Sequence, residues 1–224
     1  NKDFDSIWVG LEEKSKIDEM RKSFISDVSH ELKTPIALIQ GYSEGLLENV
    51  NTDEESRKFY AEVILDETNK MDKLVKQLLE LMKLEYGKRQ FNDKKFNIVE
   101  VEKEVVRKSK VMLEEKKVKI EFNLSEEINV FADDFYIEQV ISNYITNAIK
   151  HVKEIDEKKV ISIVNEVNIE KNKVRVKIFN TGENIAEEHI NRIWNRFYKV
   201  DESRNRTDGG TGIGLSFVKA IMNN

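Results

Sequence analysis

The strongest constraint on this chain is a pair of long amphipathic stretches joined by a very short loop. In the first, from about Glu12 to Asn49, Ile17, Phe24, Val28, Leu32 and Ile39 fall on one face of a helix. The second runs on to about Gly87, with a seam of Phe59, Val63, Met71, Leu74, Leu78 and Leu81. The last four of these follow heptad spacing. Asn51-Thr52-Asp53 forms the loop between them, with Thr52 or Asp53 as cap of the second helix. Two antiparallel helices cannot bury both stripes against each other alone. The economical solution is a four-helix bundle made by two chains, so the pattern predicts a homodimer through the helical hairpin.

His30 points almost opposite the apolar stripe of the first helix, among Ser23, Ser26, Asp27 and Thr34. That placement argues against a core histidine and leaves either a functional group or a residue on a solvated face. Pro35, the one proline, lies just after it inside the same helix and removes a backbone donor. A hinge and a neutral bend are both compatible with it. Gly41 and Gly45 weaken this helix by roughly 1 kcal/mol each relative to alanine. Residues 1–11 carry Phe4, Ile7, Trp8 and Leu11 at helical intervals, as the tail of an upstream signalling linker or as a packing segment.

Composition removes several function classes. The 224 residues suffice for one large or two modest domains, and the net charge of -5 gives no overall electrostatic case for nucleic acid or an acidic membrane surface. With no cysteine there are no disulfides and no thiolate metal sites; the three histidines, at 30, 151 and 189, show no metal-ligand spacing. No apolar run approaches the roughly 20 residues a membrane-spanning helix needs, and no signal peptide is visible. The chain begins at Asn1 without methionine and stops within a helical pattern at Asn224, so it reads as a soluble piece of something longer.

Gly87 and the polar run from Lys88 to Lys95 mark a boundary after which the texture changes. The pattern predicts one helix over Ile98–Lys116, strands at Val118–Leu124 and Asn129–Ala132, and a helix from Asp134 to about Val152. Two strands at Lys159–Ile169 and Lys173–Phe179 follow, joined by the hairpin turn Glu170-Lys171-Asn172. A long polar segment then leads to Asp208, a glycine run from Gly209 to Gly214, and a final helix. Helices and a mixed sheet make this an α+β domain.

Two stretches in that domain carry chemistry. On the Asp134–Val152 helix, Asn143, Asn147, Lys150 and His151 line one side, opposite the stripe Ile137, Ile141, Tyr144, Ile145, Ala148 and Val152. Asparagine offers a neutral oxygen to a hard cation and lysine a point charge to phosphate, so the row suits a magnesium–triphosphate group; a wet helix face is the alternative. The run Gly209-Gly210-Thr211-Gly212-Ile213-Gly214-Leu215 precedes the last helix, where backbone amides approach phosphate oxygens, or where a flexible turn is all that is needed. It lacks the Lys-Ser/Thr ending of a Walker A loop. Asn180-Thr181-Gly182, at a strand end, adds a base-recognition point.

The order His30-Glu31-Leu32-Lys33-Thr34-Pro35, Asn143…Asn147-Ala148…Lys150, Asn180-Thr181-Gly182, Arg196-Phe197-Tyr198-Lys199 and Gly210-Thr211-Gly212-Ile213-Gly214-Leu215 resembles the sensor histidine kinases of bacterial two-component systems. The likeness runs from about Lys14 to the C-terminus. It implies a dimerisation and histidine-phosphotransfer domain over residues 12–90 and a catalytic ATP-binding domain over 96–224. The latter is an α+β sandwich of the GHKL (Bergerat) type. The resemblance makes His30 the phosphoacceptor, Glu31 a general base and Thr34 a helper of regulator dephosphorylation. Asn147 matches a Mg2+ ligand, with Asn143 nearby, and Lys150 a phosphate contact; His151 stands where the family often has tyrosine. Asn180, Gly182 and Ile185 match the base-binding segment, Phe197 packs a lid, and Lys199 is basic near the γ-phosphate. Gly210, Thr211, Gly212, Ile213, Gly214 and Leu215 complete the nucleotide set, with about Glu183–Asp208 as a mobile lid.

The implied reaction is ATP-dependent autophosphorylation of His30 followed by transfer to an aspartate of a response regulator, with regulator phosphatase as a second activity. Neutral imidazole is the nucleophile, and positioning and charge neutralisation do most of the work. The ATP domain must then move relative to the bundle, with the Tyr86–Lys95 linker and Pro35 as hinges. The family setting is the cytoplasmic portion of a membrane sensor attached through upstream segments, with no nucleic-acid role. Three departures stand out. Asn180 replaces the usual aspartate and Asn184 the usual second glycine. The two strands that normally follow the last helix are also missing, leaving an unpaired sheet edge. A degenerate kinase acting as phosphatase or docking module is the alternative. A chaperone- or mismatch-repair-type ATPase is disfavoured by the His30 motif on a dimerising hairpin.

Overall fold

The structure, a computed structural model, describes residues 2–50, 52–85, 90–123, 127–200 and 210–223, with side chains described from Lys22 onward, Asn123 excepted. The chain separates into two compact units, Asn1–Leu79 and Glu80–Asn224.

In the first unit α1 (Lys2–Leu47) begins well before Glu12 and runs unbroken through the buried Pro35. The missing donor is thus absorbed without interrupting the helix. Phe24, Val28, Leu32 and Ile39 are half-buried, while the side chains of Phe4, Ile7, Trp8, Leu11 and Ile17 lie outside the described residues. Asp53 caps α2 (Glu54–Glu85): its Oδ1 accepts from the Ser56 amide at 2.7 Å, which holds its carboxyl below the usual aspartate range. Near the hairpin loop Tyr42 meets Phe59 and Tyr60 edge-on, with ring centroids 6.1 and 4.9 Å apart. A Cβ at Gly45 would lie 2.7 Å from the Tyr60 ring, so glycine is what lets that ring approach. Along the α2 seam Leu74 and Leu78 are buried.

The second unit starts with the last residues of α2, where Leu81 and Leu84 are buried. Residues 86–89 of the expected linker hinge lie outside the described residues. Across the end of the polar run read as a boundary the structure has a strand, β1 (Lys94–Asn97), antiparallel to β3 (Asn129–Ala132). Its four residues are too short and too polar to stand out by alternation. The single helix expected over Ile98–Lys116 is two, α3 (Ile98–Lys108) and α4 (Lys110–Glu115), broken at Ser109. The Ser109 hydroxyl donates to the Val105 carbonyl at 2.9 Å, a local bond that competes with helix continuation.

Strand β2 (Lys119–Asn123) runs parallel to β4 (Val160–Asn168), which is antiparallel to β5 (Lys173–Asn180), in the order β2-β4-β5. Ile120, Ile161, Ile163, Val174, Val176 and Ile178 face the core, while Arg175 and Lys177 alternate outward. Helix α5 (Asp134–His151) carries Ile141, Ile145, Ala148 and Ile149 into that core and packs against α3 and β5. A short α6 (Glu187–Ile190) follows β5, and α7 (Gly214–Met222) packs on α5. Asp133 caps α5 through the Tyr136 amide at 3.2 Å and also accepts the Asn92 amide at 2.9 Å, fixing the entry segment to the helix that bears the site.

One core pair is polar. Glu102 sits on the buried face of α3 with Ile98, Val99 and Val105 and is fully buried. Asn165 follows Ile161 and Ile163 in the inward register of β4 and donates to Glu102 Oε2 at 2.9 Å. Glu102 Oε1 and Asn165 Oδ1 have no hydrogen-bond partner. Burial pushes the Glu102 carboxyl above the usual glutamate range, against a smaller opposing effect of the Asn165 bond.

Candidate functional site

The structure holds two groups of candidate residues, one in each unit. In the first, His30 is exposed on α1, next to the half-buried Glu31 and one turn before the exposed Thr34. The helix around it carries its own polar bonds: Ser29 Oγ donates to the Ile25 carbonyl at 2.7 Å, and Ser23 Oγ to Asp27 Oδ2 at 3.4 Å. An exposed imidazole on a continuous helix is open to a bulky phosphoryl donor.

In the second unit the residues of α5 and the glycine run come together. Asn143 donates Nδ2 to the Gln139 carbonyl at 2.8 Å, and its Oδ1 faces the glycine loop. A Cβ on Gly214 would lie 2.6 Å from that Oδ1, and one on Gly210 would lie 3.5 Å from Lys150 Nζ. The loop therefore lies close against the polar row of α5, where Asn147 and Lys150 are half-buried and His151 is exposed. Thr211 and Leu215 are half-buried and Ile213 is fully buried; Ser216 Oγ donates to the Ile213 carbonyl at 2.8 Å at the start of α7.

Phe197 buttresses this loop from behind. Its amide donates to the Gly212 carbonyl at 2.9 Å, and a Cβ on Gly212 would lie 2.7 Å from the Phe197 backbone. Gly212 at φ +70° and Phe197 at φ +60° both use the left-handed region, which favours glycine and strains phenylalanine. Lys199 follows, half-buried, while Ile185 stays exposed beyond Gly182. Residues 201–208 of the expected lid, and Gly209, lie outside the described residues.

At the end of β5, Asn180 donates Nδ2 to the Thr181 carbonyl at 3.1 Å, which leaves Oδ1 as the acceptor it can present to a base. Gly182, at φ +154°, has room for no Cβ: one would lie 2.9 Å from the His151 carbonyl. Thr181 has a role that reading the sequence did not assign. Its Oγ1 donates to the Lys153 carbonyl at 2.8 Å and accepts the Val160 amide at 3.1 Å, so it anchors the Asn180 turn to the end of α5. A hydroxyl between Asn180 and Gly182 at a strand end is the signal that points to it.

The donor set suits a phosphate-bearing ligand better than a bare metal. Among the described residues no cluster of three or more His, Asp or Glu side chains exists to hold a metal ion. A cation at Asn147 would need phosphate oxygens as its main ligands.

Comparison with known proteins agrees with this division. The His Kinase A (phospho-acceptor) domain family matches residues 20–87, and the Histidine kinase-, DNA gyrase B-, and HSP90-like ATPase family matches residues 132–224. The sensor protein SrrB of Staphylococcus aureus is 33% identical over 206 residues, 92% of this chain and 34% of SrrB. The chain thus spans about a third of the length of the curated relatives it matches. Among solved structures, the Acinetobacter baumannii histidine kinase AdeS aligns with TM-score 0.70 at 27% identity, covering 87% of this chain and 86% of that one. The histidine kinase ThkA, solved in complex with the response regulator TrrA, aligns with TM-score 0.63 at 27% identity, covering 79% and 50%. With a phosphoacceptor-type helical pair before a GHKL-type α/β ATPase domain, the chain belongs to the sensor histidine kinases of two-component systems.

Proposed function

We propose that this chain transfers the γ-phosphoryl group of ATP to His30 and passes it to an aspartate of a response regulator. The observation that carries this reading is the close meeting of the α5 row and the glycine loop, Asn143 against Gly214 and Lys150 beside Gly210. Glycines there leave a cradle that side chains would fill, as a polyphosphate requires. When bound, ATP would supply the phosphoryl group and Mg2+ would offset its negative charge. Lys150 adds positive charge beside the cradle, Asn147 offers a neutral oxygen toward the cation, and Lys199 stands at the start of the lid. Asn180 Oδ1 accepts from the adenine amino group. His30 offers a ring nitrogen as nucleophile; Glu31 accepts its proton from the flank, and Thr34, one turn away, assists dephosphorylation of the regulator.

Domain limits of 12–90 and 96–224, after a signalling linker over 1–11, fit this division of labour. Dimerisation is supported by apolar residues that the hairpin leaves exposed, among them Ile36, Leu38, Phe59 and Leu65. A second hairpin would cover them in a four-helix bundle. No described helix is long and apolar enough to cross a membrane. Attachment of a longer sensor to a membrane, with this portion on the cytoplasmic side, rests on the family setting alone.

The test is His30→Gln: phosphate incorporation from labelled ATP is lost while affinity for a fluorescent ATP analogue stays near that of the parent chain. Labelling that persists in the variant removes His30 as acceptor. The alternative, a degenerate kinase acting as phosphatase or docking module, is motivated by Asn180 in place of aspartate. The Asn180–Thr181 bond, which leaves an acceptor oxygen for adenine, favours the active kinase; absence of saturable analogue binding would favour the alternative.

A further inference from the structure

The C-terminal end of α2 makes polar contacts that the proposed phosphoryl transfer does not use. Arg196, immediately before Phe197, directs Nε (3.2 Å) and Nη2 onto Oε1 of Glu85, the final residue of α2. Both side chains are about one-third exposed, so solvent screens the pair only in part. A turn and a half earlier, Glu80 Oε2 lies 3.5 Å from Tyr136 Oη in the first turn of α5. Tyr136 is buried and packs against Phe91 and Phe135. The two walls of the site, α5 and the loop buttressed by Phe197, are therefore both attached to the same end of one helix.

Resting on the reading of residues 143–150 and 210–214 as a nucleotide site, we propose that Glu85 and Arg196 are positioning residues for ATP. Phe197 and Gly212 sit side by side in left-handed conformations joined by the 2.9 Å bond between them. Strained backbone of this kind persists only where its surroundings over-determine it. The Glu85–Arg196 pair supplies that hold one residue before the strain. Without it the 196–198 segment relaxes, the glycine loop loses its approach to Asn143 and Lys150, and the nucleotide binds to a less ordered cradle. Neither residue touches the reacting atoms, so the effect falls on nucleotide affinity and on KM rather than on kcat at saturation.

The experiment compares the full chain with Glu85→Gln, Arg196→Ala and the exchange Glu85→Arg/Arg196→Glu. The readouts are Kd for a fluorescent ATP analogue, KM and kcat for autophosphorylation, and melting temperature. Loss of one charge-assisted bond weakens analogue binding about three- to tenfold in each single variant, with kcat little changed. The exchange, which restores opposite charges, recovers most of the affinity. Glu85→Gln keeps the size of the side chain, so its melting temperature separates loss of the pair from loss of packing. Unchanged Kd in Glu85→Gln, or no recovery in the exchange, overturns the positioning role while leaving the nucleotide site intact. A parent chain that binds no analogue overturns the nucleotide site, and the positioning role with it.

Discussion

Replacing Glu102 by glutamine is expected to stabilise the catalytic unit, and by more at neutral than at acid pH. Glu102 is fully buried, receives one bond from Asn165 Nδ2, and leaves Glu102 Oε1 and Asn165 Oδ1 without partners. An unsatisfied buried polar group costs about 1–3 kcal/mol. Glu102→Gln puts an N–H where Oε1 stands, and this can donate to Asn165 Oδ1 and resolve both orphans at once. The expected gain near neutral pH is therefore about 1–3 kcal/mol, at about 2–4 °C of melting temperature per kcal/mol for a chain of this size. The sign of the pH dependence follows from the raised carboxyl. A folded-state value above the unfolded one means that the native protein binds its proton more tightly. The resulting stability is full below the ordinary glutamate range and is lost as pH rises through the raised value. At acid pH a proton on Oε1 does what the new amide does, so the two proteins converge. Thermal unfolding by circular dichroism at about pH 4 and about pH 8 reads the difference. A gap that stays constant with pH, or a variant less stable at both values, would refute the reasoning. The pair Glu102→Leu/Asn165→Val removes both polar groups together and should be nearly neutral, whereas Glu102→Leu alone strands the Asn165 amide and destabilises.

Other outcomes follow from single contacts. Gly212→Ala places a Cβ 2.7 Å from the Phe197 backbone at φ +70°, and should cost about 1–3 kcal/mol and weaken ATP-analogue binding; unchanged melting and affinity would mean that the loop repacks freely. Thr181→Val removes the hydroxyl shared by the Lys153 carbonyl and the Val160 amide, with an expected loss of about 1–3 kcal/mol in denaturant unfolding. Glu157→Gly relieves a left-handed residue at φ +61° in the two-residue turn between Ile155 and Lys158 and should raise stability by about 0.5–1 kcal/mol. Asp53→Ala removes the cap of α2; the parent's advantage is present above the ordinary aspartate range and fades as pH falls through the lowered value, which a melting series in pH detects.

Periodicity made the helical pair legible because its stripes are long and its loop short; it also gave β3, α5 and the β4–β5 hairpin nearly to the residue. It missed β1 because Lys94–Asn97 pairs through its backbone and its four residues hold a single large apolar side chain, Phe96. It missed the break at Ser109 because a serine inside an apolar-periodic run looks like an ordinary polar-face residue until its hydroxyl is seen bonding back. Glu102 falls on the apolar stripe with Ile98 and Val105, a conflict visible in the sequence whose partner, Asn165, is not. For the site, motif order located α5, the glycine loop and Asn180. It could not show that Thr181 anchors the turn or that Glu85, more than a hundred positions away, meets Arg196. Contacts between distant positions leave no mark on periodicity.

The Thr181 anchor bears on where this protein tolerates change. Besides the two hydroxyl bonds, the Lys153 amide donates to the Thr181 carbonyl and the Thr181 amide to the Val160 carbonyl, each at 2.9 Å. Both ends of the stretch from Lys153 to Val160 are thus tied to one residue whatever lies between them. Loop-closure entropy grows only slowly with length, so extra residues inserted at the exposed Asp156–Glu157 tip should cost little. A fluorophore-bearing insertion at that tip would ride on the same residue that holds Asn180, and so would report whether an added nucleotide moves that turn, with the glycine loop untouched.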